Sequence, residues 1–245
     1  EKDIPVKQYY QVGPGYLPAY PKTVVTQPLG FGFALSDKLL LQTEGERHFS
    51  FRLTFNSDSF AGFLRVCRFE LKRLLESGDP EYAETDETIT FPKLLQNHFN
   101  ITCSTADGWF TADPNKTYLA ISGDVANTLV LDVLLESTEP AIAPVTDLLF
   151  EEAVNQALPV FRFSLSQNNS VAYTLFRYLI IEKVIIDLSV VGIRQLKLRN
   201  DYGPVANDAP FDAFGPIPTL RSGFFIGHEA LRLPLYDLCV TIEWM

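Results

Sequence analysis

Phe49, Phe51, Leu53 and Phe55 alternate with Ser50, Arg52 and Thr54, the two-residue period of a strand with one buried face. The same alternation recurs at Leu129, Leu131, Val133 and Leu135, at Phe161, Phe163 and Leu165, at Val184, Ile186, Leu188 and Val190, and at Leu238, Val240, Ile242 and Trp244. Shorter strand-like runs are Leu39–Thr43, Ile101–Ser104, Trp109–Ala112, Thr117–Ser122 and the pair Leu196 and Leu198. Glu44-Gly45-Glu46, Asp107-Gly108, Asp113-Pro114-Asn115 and Gly192 supply the turn chemistry between them. The period changes to 3.6 most clearly at Phe60, Phe63, Leu64, Cys67, Leu71, Leu74 and Leu75, which predicts a helix. Ser57, Asp58 or Ser59 would cap its start, and Gly78 followed by Pro80 would end it. Shorter helices are predicted over Pro92–Phe99 and Val171–Leu179, the latter capped near Asn169 or Ser170.

These elements predict a mainly β fold, a β-sandwich of about ten short strands with two or three helices. The alternative is an α+β arrangement of two β-rich subdomains divided near 139–159. Pro5, Gly13-Pro14-Gly15, Pro18, Pro21, Pro28, Gly30 and Gly32 break up the start of the chain. Residues 1–45 therefore read as an extended arm, docked through Tyr9, Tyr10, Tyr16 and Tyr20, ahead of a β-rich domain over 46–245.

Composition agrees with a packed β domain. Nineteen Phe and ten Tyr against one Met suit pleated, half-buried surfaces. The formal net charge of −10 argues against a nucleic-acid partner, which needs a basic face. Arg65, Arg68, Lys72 and Arg73 share one helix, but Glu70 and Glu76 are interleaved, so this reads as a solvated face. Cys67, Cys103 and Cys239 lie far apart in apolar stretches without metal-ligand spacing, and read as buried free thiols in a reducing compartment. The apolar run Tyr173–Val191 is interrupted by Arg177, Glu182, Lys183 and Asp187, too many charges for a membrane span. No signal peptide is visible. The chain opens without an initiator Met and closes at Trp244-Met245, as expected of a processed product or a piece of a longer polypeptide.

Catalytic patterns are missing. Neither a GxSxG elbow nor a phosphate loop occurs, and Gly30-Phe31-Gly32 lacks the third glycine of a nucleotide fingerprint. His48, His98 and His228 stand apart and read as surface or capping residues. The acids Asp58, Asp86-Glu87 and Glu151-Glu152 are what a strongly acidic chain offers by chance, and Asp201, Asp208 and Asp212 lack the alternation of a calcium loop. No catalytic, metal or cofactor site is expected.

Two stretches exceed what generic strands and turns require. The first runs Pro28-Leu29-Gly30-Phe31-Gly32-Phe33-Ala34-Leu35-Ser36 and on through Glu44-Gly45-Glu46-Arg47. The second contains Asn200-Asp201-Tyr202-Gly203, then Pro210-Phe211, Phe214-Gly215-Pro216-Ile217-Pro218 and Ser222-Gly223-Phe224-Phe225-Ile226-Gly227-His228-Glu229. Ordering such a loop costs about 1–2 kcal/mol per backbone residue, so its aromatic side chains must be buried, either in their own domain or at an interface. The candidates for that structural role are Phe211, Phe214, Gly215, Pro216, Gly223, Phe225, Gly227, Glu229 and, on the closing strand, Trp244.

Together these segments resemble the large baseplate J-like proteins of phage-tail-like extracellular contractile injection systems. That family shows a GFAxxSxxLxLxEGER-like stretch before an alternating strand, then an Asn-Asp-x-Gly turn, an FGPxPxxGSxFYIGxxE-like loop and a closing strand ending in Trp. Gly32–Arg47, Asn200–Gly203, Phe214–Glu229 and Trp244 correspond, and the middle of the chain corresponds in rhythm. The departures are Arg221-Ser222-Gly223 where the family has Gly-Ser, and Phe225 where it has Tyr. The resemblance implies a structural, non-catalytic baseplate component without cofactors. Its expected partners are other baseplate subunits and copies of itself in a ring, with no nucleic acid and no membrane insertion. Assembly in the bacterial cytoplasm and incorporation into an injection particle are implied as well. Two other functions remain open: a carbohydrate- or receptor-binding β-sandwich of a tail fibre, for which Trp109 is the central candidate, and a hydrolase with dispersed acids.

Overall fold

The computed structural model describes residues 7–10, 31–78, 87–96, 98–144, 158–166, 174–233 and 237–241, with the backbone alone at 7–10, 31 and 87–90. Among them the chain is mainly β, and every strand pairing found is antiparallel. Two compact units divide at Val190 and Val191.

The first unit holds a five-stranded and a four-stranded sheet. The five-stranded sheet contains β1 (Lys7–Tyr10), β2 (Phe31–Ser36), β4 (Phe99–Thr105), β5 (Gly108–Thr111) and β8 (Val160–Leu165), in the order β1-β2-β8-β4-β5. The four-stranded sheet contains β3 (Glu46–Phe55), β6 (Thr117–Ile121), β7 (Thr128–Leu135) and β9 (Ile181–Val191), in the order β6-β7-β3-β9. The alternation expected at β3 is realised: Phe49, Phe51, Leu53 and Phe55 are buried. Three of them face Val133, Leu131 and Leu129 of β7 in register. Rings join the two sheets, with Phe49 and Phe51 at 4.9 and 5.3 Å from Phe161, and Phe51 edge-on to Phe163 at 5.0 Å. This face-to-face packing is the expected sandwich.

Two helices complete the first unit, α1 (Ser57–Glu76) and α2 (Glu87–Leu95). Phe60, Phe63 and Cys67 of α1 are buried, and Phe63 lies 5.5 Å from the ring of Phe176 in the short helical stretch 174–176. The α1 cap is Asn56 rather than any of the three residues after it. Its Oδ1 accepts the N–H groups of Asp58 and Ser59 at 3.1 and 3.3 Å, while its Nδ2 donates to Glu182 at 3.0 Å. Gly78, at φ 75, follows the helix end as expected. α2 begins five residues before Pro92 and ends before Phe99, because Phe91, Leu94 and Leu95 form one buried face at helical spacing while Phe99 opens β4. The cap residues expected near Asn169 lie outside the described residues.

The extended arm expected over 1–45 is not uniform. Phe33, Leu35 and Leu40 are buried, and β2 lies between β1 and β8 inside the sheet. Gly32 reads as a breaker in sequence, yet it is what admits this strand: a Cβ there would overlap the carbonyl oxygen of Phe163. The strand expected at Leu39–Thr43 is replaced by a 3-10 turn at Lys38–Leu40, capped by Asp37, whose Oδ1 accepts the Leu39 N–H at 2.9 Å. Around 139–159, residues 145–157 lie outside the described residues, and both flanks, through β7 and β8, belong to the first unit.

The second unit carries β10 (Lys197–Asn200), β11 (Gly203–Val205) and β12 (Phe224–Gly227) in the order β11-β10-β12. The closing strand expected over Leu238–Trp244 is not formed where it is described. Residues 238–241 have no strand pairing, and Leu238 and Val240 are exposed. Alternation prepares a strand but does not supply its partner. Trp244 lies outside the described residues. No helix among the described residues is long and apolar enough to cross a membrane.

Candidate functional site: a pinned loop with an apolar outer surface

The two sequence-distant motifs of the second unit are joined by direct hydrogen bonds. Asn200, Asp201, Tyr202 and Gly203 connect β10 to β11, with Asn200 paired to Gly203. Asn200 Oδ1 accepts the Tyr202 N–H at 2.9 Å, closing the turn locally, and its Nδ2 donates to the Asp212 carbonyl at 3.1 Å. Asp201 Oδ2 accepts the N–H of Gly223 at 2.8 Å. Tyr202 donates its hydroxyl to the Ile217 carbonyl at 2.8 Å. Its ring lies so close to Gly215, at φ 80, that any Cβ there would collide with it. Three consecutive side chains therefore hold the loop between Asp212 and Gly223 from behind.

The loop and the strand after it expose apolar side chains. Phe211 packs on Phe224 at 5.5 Å yet stays 39% exposed, while Phe214, Ile217, Leu220 and Phe225 are 41%, 71%, 94% and 58% exposed. Pro216 is exposed, and Gly227 ends β12 opposite Lys197. Glu229 is exposed beside Arg232 at 3.9 Å. The loop's tip is a turn in which the Ser222 N–H donates to the Thr219 carbonyl at 3.0 Å and the Thr219 N–H donates to Ser222 Oγ at 2.8 Å. Arg221 occupies the left-handed region there, at φ 81. Among the described residues of 191–245 no hydrophobic side chain is fully buried, and Asn200 is the one buried polar side chain. Phe211, Phe214, Pro216 and Phe225 are thus exposed, Gly223 is half-buried and Gly215 is buried under Tyr202.

A second cluster was not foreseen. Arg47 is fully buried at the end of the first family-like segment. Its Nη1 donates to the Pro140 carbonyl at 2.8 Å, and its Nη2 donates to the carbonyls of Glu136 and Glu139 at 2.8 and 3.0 Å. Its Nε has no hydrogen-bond partner. Burial lowers the guanidinium pKa, opposed by Cys103 and Glu139. Glu139 accepts the Glu136 N–H at 2.6 Å, and Lys116 bridges the two carboxylates at 2.9 and 3.2 Å, which raises the Lys116 pKa. The cluster clamps the turn that leaves β7. The one signal in the sequence was an arginine at the mouth of a strand of otherwise buried phenylalanines.

The remaining titratable groups sort by burial. His228 caps a 3-10 turn, its Nδ1 accepting the Ala230 N–H at 3.1 Å, and the His48 side chain is half exposed, 3.7 Å from Asp132. His98 departs from the expected surface role: it is 2% exposed and edge-on to Phe176 at 5.8 Å, and burial lowers its pKa. Cys67 and Cys103 are buried thiols pushed up to about 12, so they are not thiolates at neutral pH. Cys239 is exposed, contrary to the burial expected from its apolar sequence surroundings, and residues 238–241 around it form no strand. Asp201 is engaged by Gly223, and among the described residues no group of three or more His, Cys, Asp or Glu side chains is placed to hold a metal ion. Asp86, Glu151 and Glu152 lie outside the described residues. Trp109 is partly buried, with the Arg162 guanidinium 4.6 Å over its ring.

No protein-family model matches this chain, and no curated protein matches it.

Proposed function

We propose that this chain is a structural component of a contractile injection machine baseplate, working through protein–protein interfaces with neighbouring subunits and further copies of itself. The carrying observation is the second unit's exposed apolar side chains, which stand on a loop whose backbone is hydrogen-bonded to Asn200, Asp201 and Tyr202. A folded segment of this size ordinarily buries its aliphatic and aromatic side chains to offset chain entropy. Here Ile217, Leu220 and Phe225 are more than half exposed while the backbone beneath them is fixed by Asn200, Asp201 and Tyr202. A loop tied to its neighbours at three points while its apolar side chains stay exposed has the composition of an interface core.

The loop also bears on the family resemblance. With Ser222 aligned to the serine of the family pattern, Arg221 takes the place of its glycine, and φ there is 81. A left-handed backbone at this position is compatible with the glycine of that pattern. A sugar-binding tail-fibre role is less well supported, since stacking on a pyranose needs an open aromatic face and Arg162 lies over that of Trp109.

The test is assembly. Ile217→Asp, Leu220→Asp and Phe225→Asp are combined in the producing cell, and particles are examined by electron microscopy. Loss of assembled baseplates is expected, with the unfolding midpoint of the purified variant unchanged. Normal particles from the triple variant would overturn the proposal.

A further inference from the structure

β9 closes one side of the four-stranded sheet, and among the described residues no strand pairs with its other edge. Spanning Ile181–Val191, it is also the longest of the described strands. A free edge presents unpaired N–H and C=O groups to any extended chain, and proteins ordinarily guard one with proline or by keeping the strand short. β9 has neither safeguard: it runs for 11 residues without proline or glycine.

Its backbone direction follows from the bond that precedes it. The Ile180 carbonyl accepts the Asn56 N–H at 2.9 Å, just beyond the end of β3. In a strand the N–H and C=O of one residue point to one side, and those of the next residue to the other. Even-numbered positions of β9 therefore address β3, and Ile181, Lys183, Ile185, Asp187, Ser189 and Val191 address the free edge. Side chains alternate as well. Val184 and Ile186 are buried, while Asp187 and Ser189 are exposed on the outer surface of the sheet. Leu188 packs against the core but stays half-buried.

We infer that β9 pairs with β9 of a second copy, antiparallel about a two-fold axis at Ile186, joining two four-stranded sheets into one. Identical strands across such an axis run antiparallel, and the residue on the axis lies opposite itself. An axis at Ile186 pairs every residue of Ile181–Val191, whereas any other centre leaves strand ends without partners. It sets Val184 opposite Leu188, Ile185 opposite Asp187 and Lys183 opposite Ser189, so no like charges meet. An axis at Lys183 or at Asp187 would set a charge against its own copy, which is unfavourable. Leu188, incompletely covered in a single chain, meets Val184 of the second copy. No charge has to be released for this: Asp187 keeps Arg52 at 2.6 Å, and Glu182 keeps Asn56 at 3.0 Å. The pairing involves β9 alone, so it fails separately from the baseplate reading and its loop.

Sedimentation velocity of the full chain over about 1–100 μM should show a monomer–dimer equilibrium. Ser189→Lys, at an exposed position, sets a lysine against Lys183 at both ends of the interface. It should raise the dimer Kd at least about tenfold with the unfolding midpoint unchanged. Ile185→Pro removes an N–H that addresses the free edge rather than β3, and should weaken the dimer likewise. Where the proline variant is unstable, Ser189→Lys decides. The register is read on a Cys239→Ser background. There Lys183→Cys combined with Ser189→Cys should give a disulfide-linked dimer on mild oxidation, since opposite Cα atoms of a hydrogen-bonded pair lie about 5.5 Å apart. Ser189→Cys without the second cysteine should not, because its two copies are far apart along the paired strands. A parent that stays monomeric, a dimer that Ser189→Lys leaves unchanged, no cross-link from the cysteine pair, or a cross-link from Ser189→Cys by itself would each overturn the inference. So would a dimer lost only in the Ile217→Asp, Leu220→Asp, Phe225→Asp variant, which assigns self-association to the loop.

Discussion

A fully buried arginine is expensive unless its donors are spoken for, and Arg47 shows how that is arranged. Its two terminal nitrogens reach three carbonyls of the turn after β7, and β3 and β7 hold both ends of the contact in register through Arg47 opposite Leu135. Arg47→Ala would leave those carbonyls without donors inside the fold. We expect a stability loss of at least about 3 kcal/mol by urea denaturation, with Arg47→Lys intermediate because an ammonium lacks the planar fork. A loss under about 1 kcal/mol would show that water replaces the guanidinium. His98 supplies a second residue-scale prediction, through pH. Burial holds its folded-state pKa below the ordinary 6.5, so the native protein keeps it neutral while the unfolded chain takes up a proton. The stability this provides is complete above pH 6.5 and declines as pH falls from there toward the depressed folded value. Unfolding followed across that window should show the decline, and His98→Phe should flatten it. An identical slope in the variant would assign the dependence to other groups.

At the scale of elements, what could be read from sequence was whatever depends on a single chain segment. The strand at β3 and the helix at α1 are stated by their own periodicity, and the glycine after α1 marks its end. What could not be read depends on a neighbour. Gly32 looks like a breaker until β8 is placed beside it, and Leu238 and Val240 look like strand residues although no strand pairs with them. Asn56 caps α1 partly because Ile180 and Glu182 stand next to it, far away in sequence. The candidate loop was legible as a set of residues, and the order of its aromatic positions pointed to burial somewhere. Its exposure was not, since the anchoring bonds from Asn200, Asp201 and Tyr202 link segments distant in sequence. The turn Thr219–Ser222 gives a prediction on this level. Arg221 sits at φ 81, where a side chain costs about 1–2 kcal/mol relative to the right-handed region and glycine does not. Arg221→Gly should therefore stabilise the loop by about 1 kcal/mol, read as slower amide exchange at Ser222. Unchanged or faster exchange would mean that the arginine side chain compensates for its own backbone.

On the scale of the molecule, the two units are stabilised by different means, and this has a measurable consequence. The first unit has a continuous core in which Phe49, Phe51, Phe161 and Phe163 meet between sheets. The second, Val191–Met245, has no fully buried hydrophobic side chain among its described residues, and is held by the β11-β10-β12 ladder and by turn and loop hydrogen bonds. Hydrogen bonds exchanged against water contribute about 1 kcal/mol each, and exposed ones less, so such a unit should open locally far more often than the first. In the isolated chain the amides of β10 and β12 should exchange at least about 100-fold faster than those of β3 and β7. If the outward apolar loop is an interface, assembly covers Ile217, Leu220 and Phe225, and the same amides should then slow toward the values of the first unit. Hydrogen exchange followed by mass spectrometry distinguishes the cases. Equal protection of both units in the isolated chain would mean that the second unit is stable alone, and its exposed aromatic and aliphatic side chains would no longer argue for a partner.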